Sequence, residues 1–471
     1  MINTTTSLRK HQLASVNQFH IRAPKTADWS SCGVGKSLVA LSKFDALYSI
    51  GLVKYMLVVC PVSVMSSWRD EIKKHTSFTV TTLSGTMEQR INKLNGDSQI
   101  YLITYDAIAS RGIGKMSMFM ALMGKFHNGN MIVCDEATMI KSIEAKRTQA
   151  LIALCDGIKY SMFLSGTFIP QDLQDIFTIY RAMDGGQTFG ENIHEARNNY
   201  MDNVGDAYPH WILREDKREE FLSKLYLRAV RLRKEDCVDL PPKVTEIRKC
   251  HLTAQQAVHY NKMRREFHVE YEGGLITVNN VLSKLSKLQQ IIGGFIYDDK
   301  KIAHKIPSAK YDLIGEILSQ VGDDKVVIYA RYIEELNQIQ DYLKSNGYKC
   351  TCLHGSLPEP TRAANIKKFR TLPEIKVLVA QISTGGYGLT VVEANHIIYF
   401  SMTFSLIDYK QSQDRIHRIG QTKTCIYHYL LIEDEFKTPV DQYIYDSLIR
   451  NNDLASALSD FEEIQKLEKI L

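Results

Sequence analysis

Short apolar runs alternate along the first part of the chain with longer stretches in which apolar residues recur at helical spacing. Each run is rich in β-branched or large apolar side chains and is followed by polar, turn-forming or helix-starting residues. The runs are Tyr55–Cys60, Ile100–Thr104, Met131–Cys134 and Met162–Leu164. Such an alternation is typical of βαβ units, which build a parallel sheet. The pattern therefore predicts an α/β lobe.

The alternation stops near Gly185 and starts again near Lys325. In between, residues 192–238 are charged and helical in pattern, and Pro241-Pro242 marks an extended segment because proline disfavours helix in the residue before it. The second series of runs is Val326–Tyr329, Lys349–Leu353, Val377–Ala380 and His396–Phe400. We therefore predict an α/β fold in three parts: a first lobe at 1–190, a helical region and linker at 191–305, and a second lobe at 306–471. Asn452 to Leu471 is predicted to form an acidic amphipathic helix.

Composition and charge exclude some classes of protein. Hydrophobic residues make up 44% of the chain and charged residues 24%, which is ordinary for a globular protein. The net charge of +5 permits a nucleic-acid partner without arguing for one. The nine cysteines are scattered, and the one close pair, Cys350 and Cys352, lacks the paired knuckles of a zinc site. Buried thiols in a reducing compartment are the better interpretation.

The N-terminal residues Met1 to Asn17 are polar and have no apolar core, so no signal peptide is predicted. No uncharged apolar run reaches the roughly 18 residues that a membrane span needs. We therefore expect a soluble, intracellular protein of the cytoplasm (the nucleoid, or the host cytoplasm for a phage protein) with no membrane partner.

A glycine-containing loop, Gly33-Val-Gly35-Lys36-Ser37, precedes an apolar helical stretch. Glycines let the backbone N–H groups face phosphate oxygens, and the following helix offers its positive end. Lys36 would hold the β- and γ-phosphates, and Ser37 would give its hydroxyl to Mg²⁺. The strict phosphate-loop pattern needs glycine at position 30, where this chain has Ser30. By itself the short motif leaves an ordinary loop as the alternative.

Two acids, Asp135 and Glu136, follow the apolar run that ends at Cys134. They emerge at the carboxyl end of a predicted strand, where an α/β sheet binds its ligand. Asp135 can hold Mg²⁺ through water while Glu136 polarises the attacking water. The alternative is an acid at a helix N-terminus, which the upstream glycine loop disfavours.

Further motifs occur in a fixed order. They are Leu8-Arg-Lys-His-Gln12, Val58–Pro61 with Trp68, Ile103-Thr-Tyr105, Ser165-Gly-Thr167, the arginine-rich run Val230–Lys243 ending in Leu-Pro-Pro-Lys, Leu353–Ser356, Ser383–Thr390 and Gln411–Gln421. Together they resemble the Snf2-like branch of superfamily 2 helicases over nearly the whole chain. The resemblance implies two RecA-like lobes with parallel sheets, a helical Snf2-type insertion between them, and ATP and Mg²⁺ as cofactors.

The resemblance also implies roles for individual residues. Gln12 would read the adenine base. The remaining nucleotide-binding residues would be Gly33, Gly35, Lys36, Ser37, Gly388 and Asp414, with Ser37 and Asp135 as Mg²⁺ ligands and Lys36, Asp135, Glu136, Arg415 and Arg418 as catalytic residues. The nucleic-acid contacts would be Pro61, Thr104, Tyr105, His354, Gly355, Ser383, Thr384 and Gly385.

Arg415 and Arg418 stand three residues apart. On a helix this spacing puts both on one face, and we expect them to point into the interlobe cleft. There they would neutralise charge on the transferring phosphoryl group, as arginine fingers do. For a single arginine the alternative is a solvated surface cation.

Two positions depart from the family pattern. The family usually has an acid at the position of Ser30, and histidine at the position of Thr138. Threonine keeps a hydroxyl but lacks the charge and reach of an imidazole. We therefore expect coupling between hydrolysis and DNA to be looser or differently wired, with the nucleotide site intact.

Helicase motor lobes grip phosphate backbones, and the Snf2 resemblance points to duplex or branched DNA as partner, with no identifiable protein partner. No appended reader domain is recognised, so the predicted function is ATP-driven remodelling of branched DNA by fork regression or branch migration. The alternatives are a duplex translocase that strips bound proteins, an RNA helicase, and a DNA-binding protein with an inactive motor. A set of aromatic and basic residues could line a duplex or form an ordinary packed face: Tyr200, Trp211, Arg214, Lys217, Arg218, Lys224, Arg228, Arg231 and Arg233.

Overall fold

The structure is a computed structural model that describes residues 3–110, 117–127, 129–140, 142–166, 173–204, 211–266, 268–271, 274–277, 281–383, 390–433 and 438–450. The chain divides into two compact units, Met1–Asp239 and Leu240–Leu471. The residues predicted as a separate helical region, 191–305, are shared between the two units, and the three-part division stays a prediction. The predicted helix at 452–471 lies outside the described residues.

The first unit contains nine described strands and eleven described helices. The strands are β1 (Lys25–Asp28), β2 (Met56–Val59), β3 (Val80–Thr82), β4 (Ile100–Ile103), β5 (Met131–Cys134), β6 (Tyr160–Leu164), β7 (Met201–Asn203), β8 (Trp211–Leu213) and β9 (Ala229–Val230). The helices are α1 (Lys10–Ala14), α2 (Lys36–Ser49), α3 (Met65–His75), α4 (Met87–Leu94), α5 (Tyr105–Ile108), α6 (Met118–Phe126), α7 (Lys146–Asp156), α8 (Leu173–Asp184), α9 (Ile193–Tyr200), α10 (Arg218–Leu227) and α11 (Lys234–Cys237).

Seven of these strands form one parallel sheet in the order β3-β4-β2-β5-β6-β1-β9. Strands β2, β4, β5 and β6 are buried along their whole length. Helices cover both faces of such a sheet, which is why its strands read as continuous apolar runs. The four strands predicted in this part of the chain are confirmed.

The described strands of the second unit are β10 (Lys243–Cys250), β11 (His268–Tyr271), β12 (Gly274–Thr277), β13 (Phe295–Tyr297), β14 (Ala303–Lys305), β15 (Lys325–Ala330), β16 (Cys350–Leu353), β17 (Val377–Gln381), β18 (Ala394–Tyr399) and β19 (Cys425–Ile432). Six of them form a parallel sheet in the order β10-β19-β18-β15-β17-β16. The other four form two separate hairpins, β11–β12 and β13–β14. The helices are α12 (Ala254–Arg265), α13 (Val281–Ile292), α14 (Lys310–Val321), α15 (Ile333–Ser345), α16 (Glu359–Thr371), α17 (Leu406–Gln413) and α18 (Val440–Ile449). Two parallel sheets with packed helices confirm the predicted α/β fold class.

Several basic residues of the charged region 192–238 are paired within the first unit. Tyr200 is buried at 3% exposure and packs among the rings of Phe177, Phe189 and Phe221. The acid and hydroxyl partners of the basic side chains are local: Lys217 and Lys224 pair with Glu220, Arg218 with Glu215, Arg228 with Asp184, and Arg231 donates to the Tyr226 hydroxyl. Tyr200 therefore belongs to a packed face, while Lys217, Arg218 and Lys224 are at least partly exposed and are held in local ion pairs.

Helix α2, which follows the glycine loop, is anchored from behind by Lys43. This fully buried ammonium donates to the carbonyls of Ala23, Pro24 and Ser161 and to the Thr26 hydroxyl, at 3.1–3.3 Å. Burial lowers the pKa of Lys43 to about 7. Because Thr26 lies on β1 and Ser161 on β6, Lys43 fixes the helix to two adjacent strands of the sheet.

The N-terminal segment is strapped to the same helix through Asp45. The Asp45 carboxylate accepts hydrogen bonds from the backbone N–H groups of Asn3 and Thr4 and from the Asn3 side chain, at 2.9–3.2 Å. Burial alone raises the pKa of Asp45, but these hydrogen bonds outweigh it, so the pKa lies below its ordinary value.

Replacing Asp45 with Asn should destabilise the first unit at pH 7 by about 1–3 kcal/mol, since buried donors lose a charged acceptor. A carboxyl with a depressed folded pKa stabilises above its unfolded value, 3.8, and the effect is lost as pH falls through the folded pKa. Chemical denaturation at pH 7 and pH 3 measures this, with exposed Asp70→Asn as the control. An undiminished deficit at pH 3 would contradict the ionic role.

In the part of the chain that the structure describes, every helix is too short or too polar to cross a membrane.

Candidate nucleotide site and neighbouring motifs

The glycine loop connects β1 to α2. Gly33 and Gly35 have φ of +85° and +91°, a conformation that side chains disfavour, and α2 begins directly at Lys36. A Cβ on Gly35 would lie 2.1 Å from Gln12 Nε2. The loop therefore needs glycine at position 35 for two reasons, its backbone conformation and the close approach of Gln12.

Lys36 folds back over the loop. Its Nζ donates to the carbonyl oxygens of Ser30 at 2.7 Å and Ser31 at 3.1 Å. These partners hold the ammonium at the mouth of the loop, next to the first backbone N–H groups of α2. A phosphate there would meet a positive charge and the N-terminus of a helix together.

Gln12, predicted to read adenine, is buried and contacts the loop. Its Nε2 donates to the Val34 carbonyl at 3.1 Å, and its Oε1 accepts from the Arg9 N–H at 2.9 Å. The His11 Nε2 lies 3.1 Å from the same carbonyl. The structure thus places the first motif against the phosphate loop.

Ser30 stands where the family usually has an acid, and its side chain has a structural partner. Its Oγ accepts the backbone N–H of Leu232 at 2.9 Å, while the Ser31 N–H donates to the Leu232 carbonyl at 3.0 Å. The start of the arginine-rich run therefore continues the β1–β9 pairing alongside the loop. Sequence reasoning missed this contact because nothing in the spacing links position 30 to position 232.

Asp135 is held by four hydrogen bonds. Its backbone N–H donates to the Val59 carbonyl at 2.9 Å, and its own carbonyl accepts from the Tyr105 hydroxyl at 2.7 Å. The carboxylate accepts from Trp68 Nε1 on Oδ2 at 2.7 Å and from the Glu136 N–H on Oδ1 at 2.9 Å. Each carboxylate oxygen keeps lone-pair capacity for a further partner.

The charges at this site act on one another. Burial raises the pKa of the Asp135 carboxyl, against the hydrogen bond from Trp68 and the charge of Lys36, which lower it. The charge of Lys36 on the glycine loop thus acts on the Asp135 carboxyl. A carboxylate and the Ser37 hydroxyl are oxygen donors of the kind that Mg²⁺ prefers.

Glu136 has φ of +51°, in the left-handed region that a glutamate rarely adopts. A 3₁₀ turn, Ala137–Ile140, follows directly, with Thr138 half-buried within it. Strained conformations persist where the surroundings over-determine them, and they cluster at functional sites.

The motif containing Ser165 and Gly166 lies against the glycine loop. The Ser165 N–H donates to the Asp28 carbonyl at 3.2 Å, and a Cβ on Gly166 would lie 2.0 Å from Cys32 Sγ. A side chain at position 166 would therefore require the Cys32 side chain to move. Thr167, the other hydroxyl of this motif, lies outside the described residues.

The predicted nucleic-acid residues of the first unit follow neighbouring strands. Pro61 comes after β2 and Thr104 after β4, and both are partly exposed at the carboxyl edge of the sheet. Tyr105 differs from the prediction, because its side chain is buried at 1% exposure and its hydroxyl donates a hydrogen bond to the Asp135 carbonyl. That side chain supports the acid and offers no surface to a nucleic acid.

The corresponding residues of the second unit also share an edge. His354 and Gly355 follow β16, and exposed Ser383 follows β17, its neighbour in the sheet. The Gly355 N–H donates to Gln381 Oε1 at 3.4 Å, and burial lowers the pKa of His354. Thr384, Gly385 and Gly388 lie outside the described residues.

The prediction that Arg415 and Arg418 share one helix face is wrong. Helix α17 ends at Gln413, and Asp414 to Gly420 form consecutive turns. Tertiary contacts stop the helix: the Tyr427 hydroxyl donates to the Gln413 carbonyl at 3.2 Å, and Gln421 Nε2 donates to the carbonyls of Ala394 and Val392.

The turns bring the two motifs of the second unit together. Arg418 Nη1 donates to Thr390 Oγ1 at 2.6 Å, Arg370 Nε donates to the Thr390 carbonyl at 3.0 Å, and the Arg415 carbonyl accepts the Val391 N–H at 3.1 Å. Both arginines are partly exposed. Both arginines therefore contact the start of the segment that begins at Thr390.

The Leu-Pro-Pro-Lys segment contacts the same turns. The Pro241 carbonyl lies 2.9 Å from His417 Nε2, and the Pro242 carbonyl accepts the Cys425 N–H at 3.0 Å. Strand β10 then pairs with β19 along all eight of its residues. The motif thus enters the second unit as the edge strand of its sheet.

Comparison with known proteins gives relatives along most of the chain. The chain is 24% identical over 459 residues to DNA repair and recombination protein RDH54 of Saccharomyces cerevisiae (strain JAY291), covering 89% of this chain and 48% of that protein. It is 21% identical over 500 residues to ATP-dependent helicase fft1 of Schizosaccharomyces pombe, covering 92% of this chain and 51% of that protein. The chain thus spans about half the length of these relatives.

A solved structure, the Sulfolobus solfataricus SWI2/SNF2 ATPase core in complex with dsDNA, aligns with a TM-score of 0.46 and 22% identity, over 100% of this chain and 98% of that one. The helicase conserved C-terminal domain family matches residues 309–420. The SNF2-related domain family matches residues 30–294, more than half of the chain. This chain therefore belongs to the SNF2-related family of superfamily 2 helicases.

Proposed function

We propose that this chain is a DNA-dependent ATPase that moves along duplex or branched DNA. The observation that carries the proposal is the site at the carboxyl edge of the first sheet, where Lys36 sits at the mouth of a glycine loop and Asp135 is fixed beside it. A nucleotide triphosphate supplies the anionic group that such a loop recognises.

In this proposal Mg²⁺ would be held by the Ser37 hydroxyl and, through water, by Asp135, and would neutralise charge on the β- and γ-phosphates. Gly33, Gly35 and Lys36 would hold the phosphates, and Gln12 the base. Glu136 would accept a proton from the attacking water. Arg415 and Arg418 would meet the charge that develops on the transferring phosphoryl group. Asp414, Gly388 and the predicted DNA contacts other than Tyr105 remain part of the proposal.

DNA is the proposed partner because the candidate contacts of each unit gather at one sheet edge. In the first unit, Pro61 follows β2, which lies next to the strand that leads into Asp135, and Thr104 follows β4 on the far side of β2. A DNA strand bound at this edge would lie close to the nucleotide site. One relative is a DNA repair and recombination protein. Because repair and recombination involve branched DNA, we propose remodelling of branched DNA by fork regression or branch migration. Stripping of bound proteins and RNA unwinding are the competing functions.

Branched DNA should stimulate ATP hydrolysis at a lower concentration than a linear duplex of equal length. We would compare ATPase rates with single-stranded, linear duplex, forked and four-way DNA, and with duplex RNA, at two salt concentrations. Binding should weaken by roughly one log unit per log unit of salt for each phosphate neutralised.

Equal stimulation by linear and branched DNA, with efficient displacement of a bound protein, would favour protein stripping instead. Stimulation by RNA alone would favour an RNA helicase. If none of the nucleic acids supported ATP turnover, the proposed ATPase activity would be contradicted.

A further inference from the structure

We propose that Trp68 and Tyr105 are positioning residues that fix Asp135 in the orientation that Mg²⁺-nucleotide binding requires. The inference rests on the proposed function, because it takes Asp135 as a magnesium-binding residue. It adds two side chains to that site, neither of which touches nucleotide or metal itself.

The fold explains why these two side chains reach Asp135. Helix α3 follows β2, the neighbour of β5 in the sheet, so its first turn lies near the edge where β5 ends. Trp68 is the fourth residue of α3 and is 2% exposed. Tyr105 starts α5 directly after β4, on the other side of β2, and is 1% exposed. Both rings are locked by packing, so their donors are fixed in space.

The two hydrogen bonds constrain different parts of Asp135. Tyr105 holds the backbone carbonyl at 2.7 Å, which fixes the chain where the strand ends. Trp68 occupies one side of Oδ2 at 2.7 Å, while the Glu136 N–H occupies Oδ1. With both oxygens engaged, the carboxylate is held against rotation, and its remaining lone pairs point in defined directions. An indole N–H can only donate, so this partner always favours the charged acceptor.

Both positioning residues belong to the segments predicted to face DNA. Trp68 follows Pro61 across a short 3₁₀ turn and the first turn of α3, and Tyr105 follows Thr104 directly. A displacement of either segment would move a hydrogen bond on Asp135. Each segment predicted to face DNA therefore contacts Asp135 through one hydrogen bond.

The test is the magnesium dependence of ADP binding, which needs no turnover. Calorimetric titration of ADP is done in Mg²⁺ and again in EDTA, for the parent, Trp68→Phe and Trp211→Phe. Phenylalanine keeps most of the buried ring and removes the N–H. Losing a hydrogen bond to a charged group should shrink the magnesium enhancement of ADP affinity by about tenfold or more in Trp68→Phe. Affinity in EDTA should not change, and Trp211→Phe, on the β8 hairpin, should behave as the parent.

Two results would overturn the inference: an unchanged magnesium enhancement in Trp68→Phe, or an equal loss of affinity in Mg²⁺ and EDTA, which marks a purely structural role. Tyr105→Phe keeps the test decisive should Trp68→Phe fail to fold, because it removes one hydroxyl and should show the same pattern with a smaller, severalfold loss. A parent that binds no ADP in either medium would instead overturn the proposed function, and this inference with it.

Discussion

Replacing Glu136 with Gln is expected to lower ATP turnover by roughly 10²–10⁴-fold, the usual contribution of a general base, while ATP still binds. Glutamine keeps the shape of the side chain but cannot accept the proton of the attacking water. The backbone N–H of residue 136, which donates to Asp135, is unaffected by the change. The Asp135 carboxylate should therefore stay in place, and the loss should be confined to the chemical step.

Turnover and nucleotide affinity measured on the same preparation check this expectation. Lys36→Ala provides the contrast, because it removes the charge at the mouth of the loop and should abolish turnover together with much of the binding. Glu144→Gln, an exposed acid beyond the 3₁₀ turn, serves as the matched control. Hydrolysis at the parental rate in Glu136→Gln would show that another group activates the water.

Replacing Arg418 with Ala should cut turnover by about 10³-fold or more, as loss of an arginine finger does, with little change in ATP affinity. The charge that a finger meets is largest in the transition state, so the loss belongs to the rate. Arg415→Ala should act in the same direction with a smaller effect. In the structure the Arg418 guanidinium donates to Thr390 Oγ1, which gives it a resting partner.

Arg370→Ala is the matched control for this experiment. Arg370 holds the carbonyl of the same residue, Thr390, so its removal loosens the same segment without touching the proposed finger. A comparable loss of rate in Arg370→Ala would mean that Arg418 acts through the position of Thr390. Equal loss of ATP affinity and rate in Arg418→Ala would mean that the arginine binds the ground state.

The sequence predicted eight strands of the two parallel sheets from their mostly apolar runs, but it missed β19, which is also largely apolar and buried. Strands β1 and β10 escaped prediction for a physical reason. The Lys25–Asp28 strand is polar in composition, although Thr26 and Asp28 are buried, because its place between β6 and β9 hides it. Strand β10 is an edge strand whose alternate residues are exposed, so it carries no apolar run. Tertiary position decided these elements, and local pattern did not.

The candidate site likewise contains residues that the sequence predicted and contacts that it did not. The glycine loop and the two acids were predicted because their chemistry requires particular residue types at fixed spacing. The supporting contacts of Ser30, Trp68 and Tyr105 join residues far apart in sequence, so no local sequence pattern predicts them. For Arg415 and Arg418 the spacing suggested a helix, but side-chain hydrogen bonds to the Gln413 and Ala394 carbonyls favour turns.

The pairing of β1 with β9 also sets an order of events during synthesis. Ala27 pairs with Ala229, so the strand that leads into the glycine loop lacks its outer neighbour until about 200 more residues have been made. At 5–20 residues per second this takes roughly 10–40 s. A nascent chain of this protein therefore leaves the ribosome with an open strand edge beside its glycine loop, and an unpaired strand edge can pair with another chain.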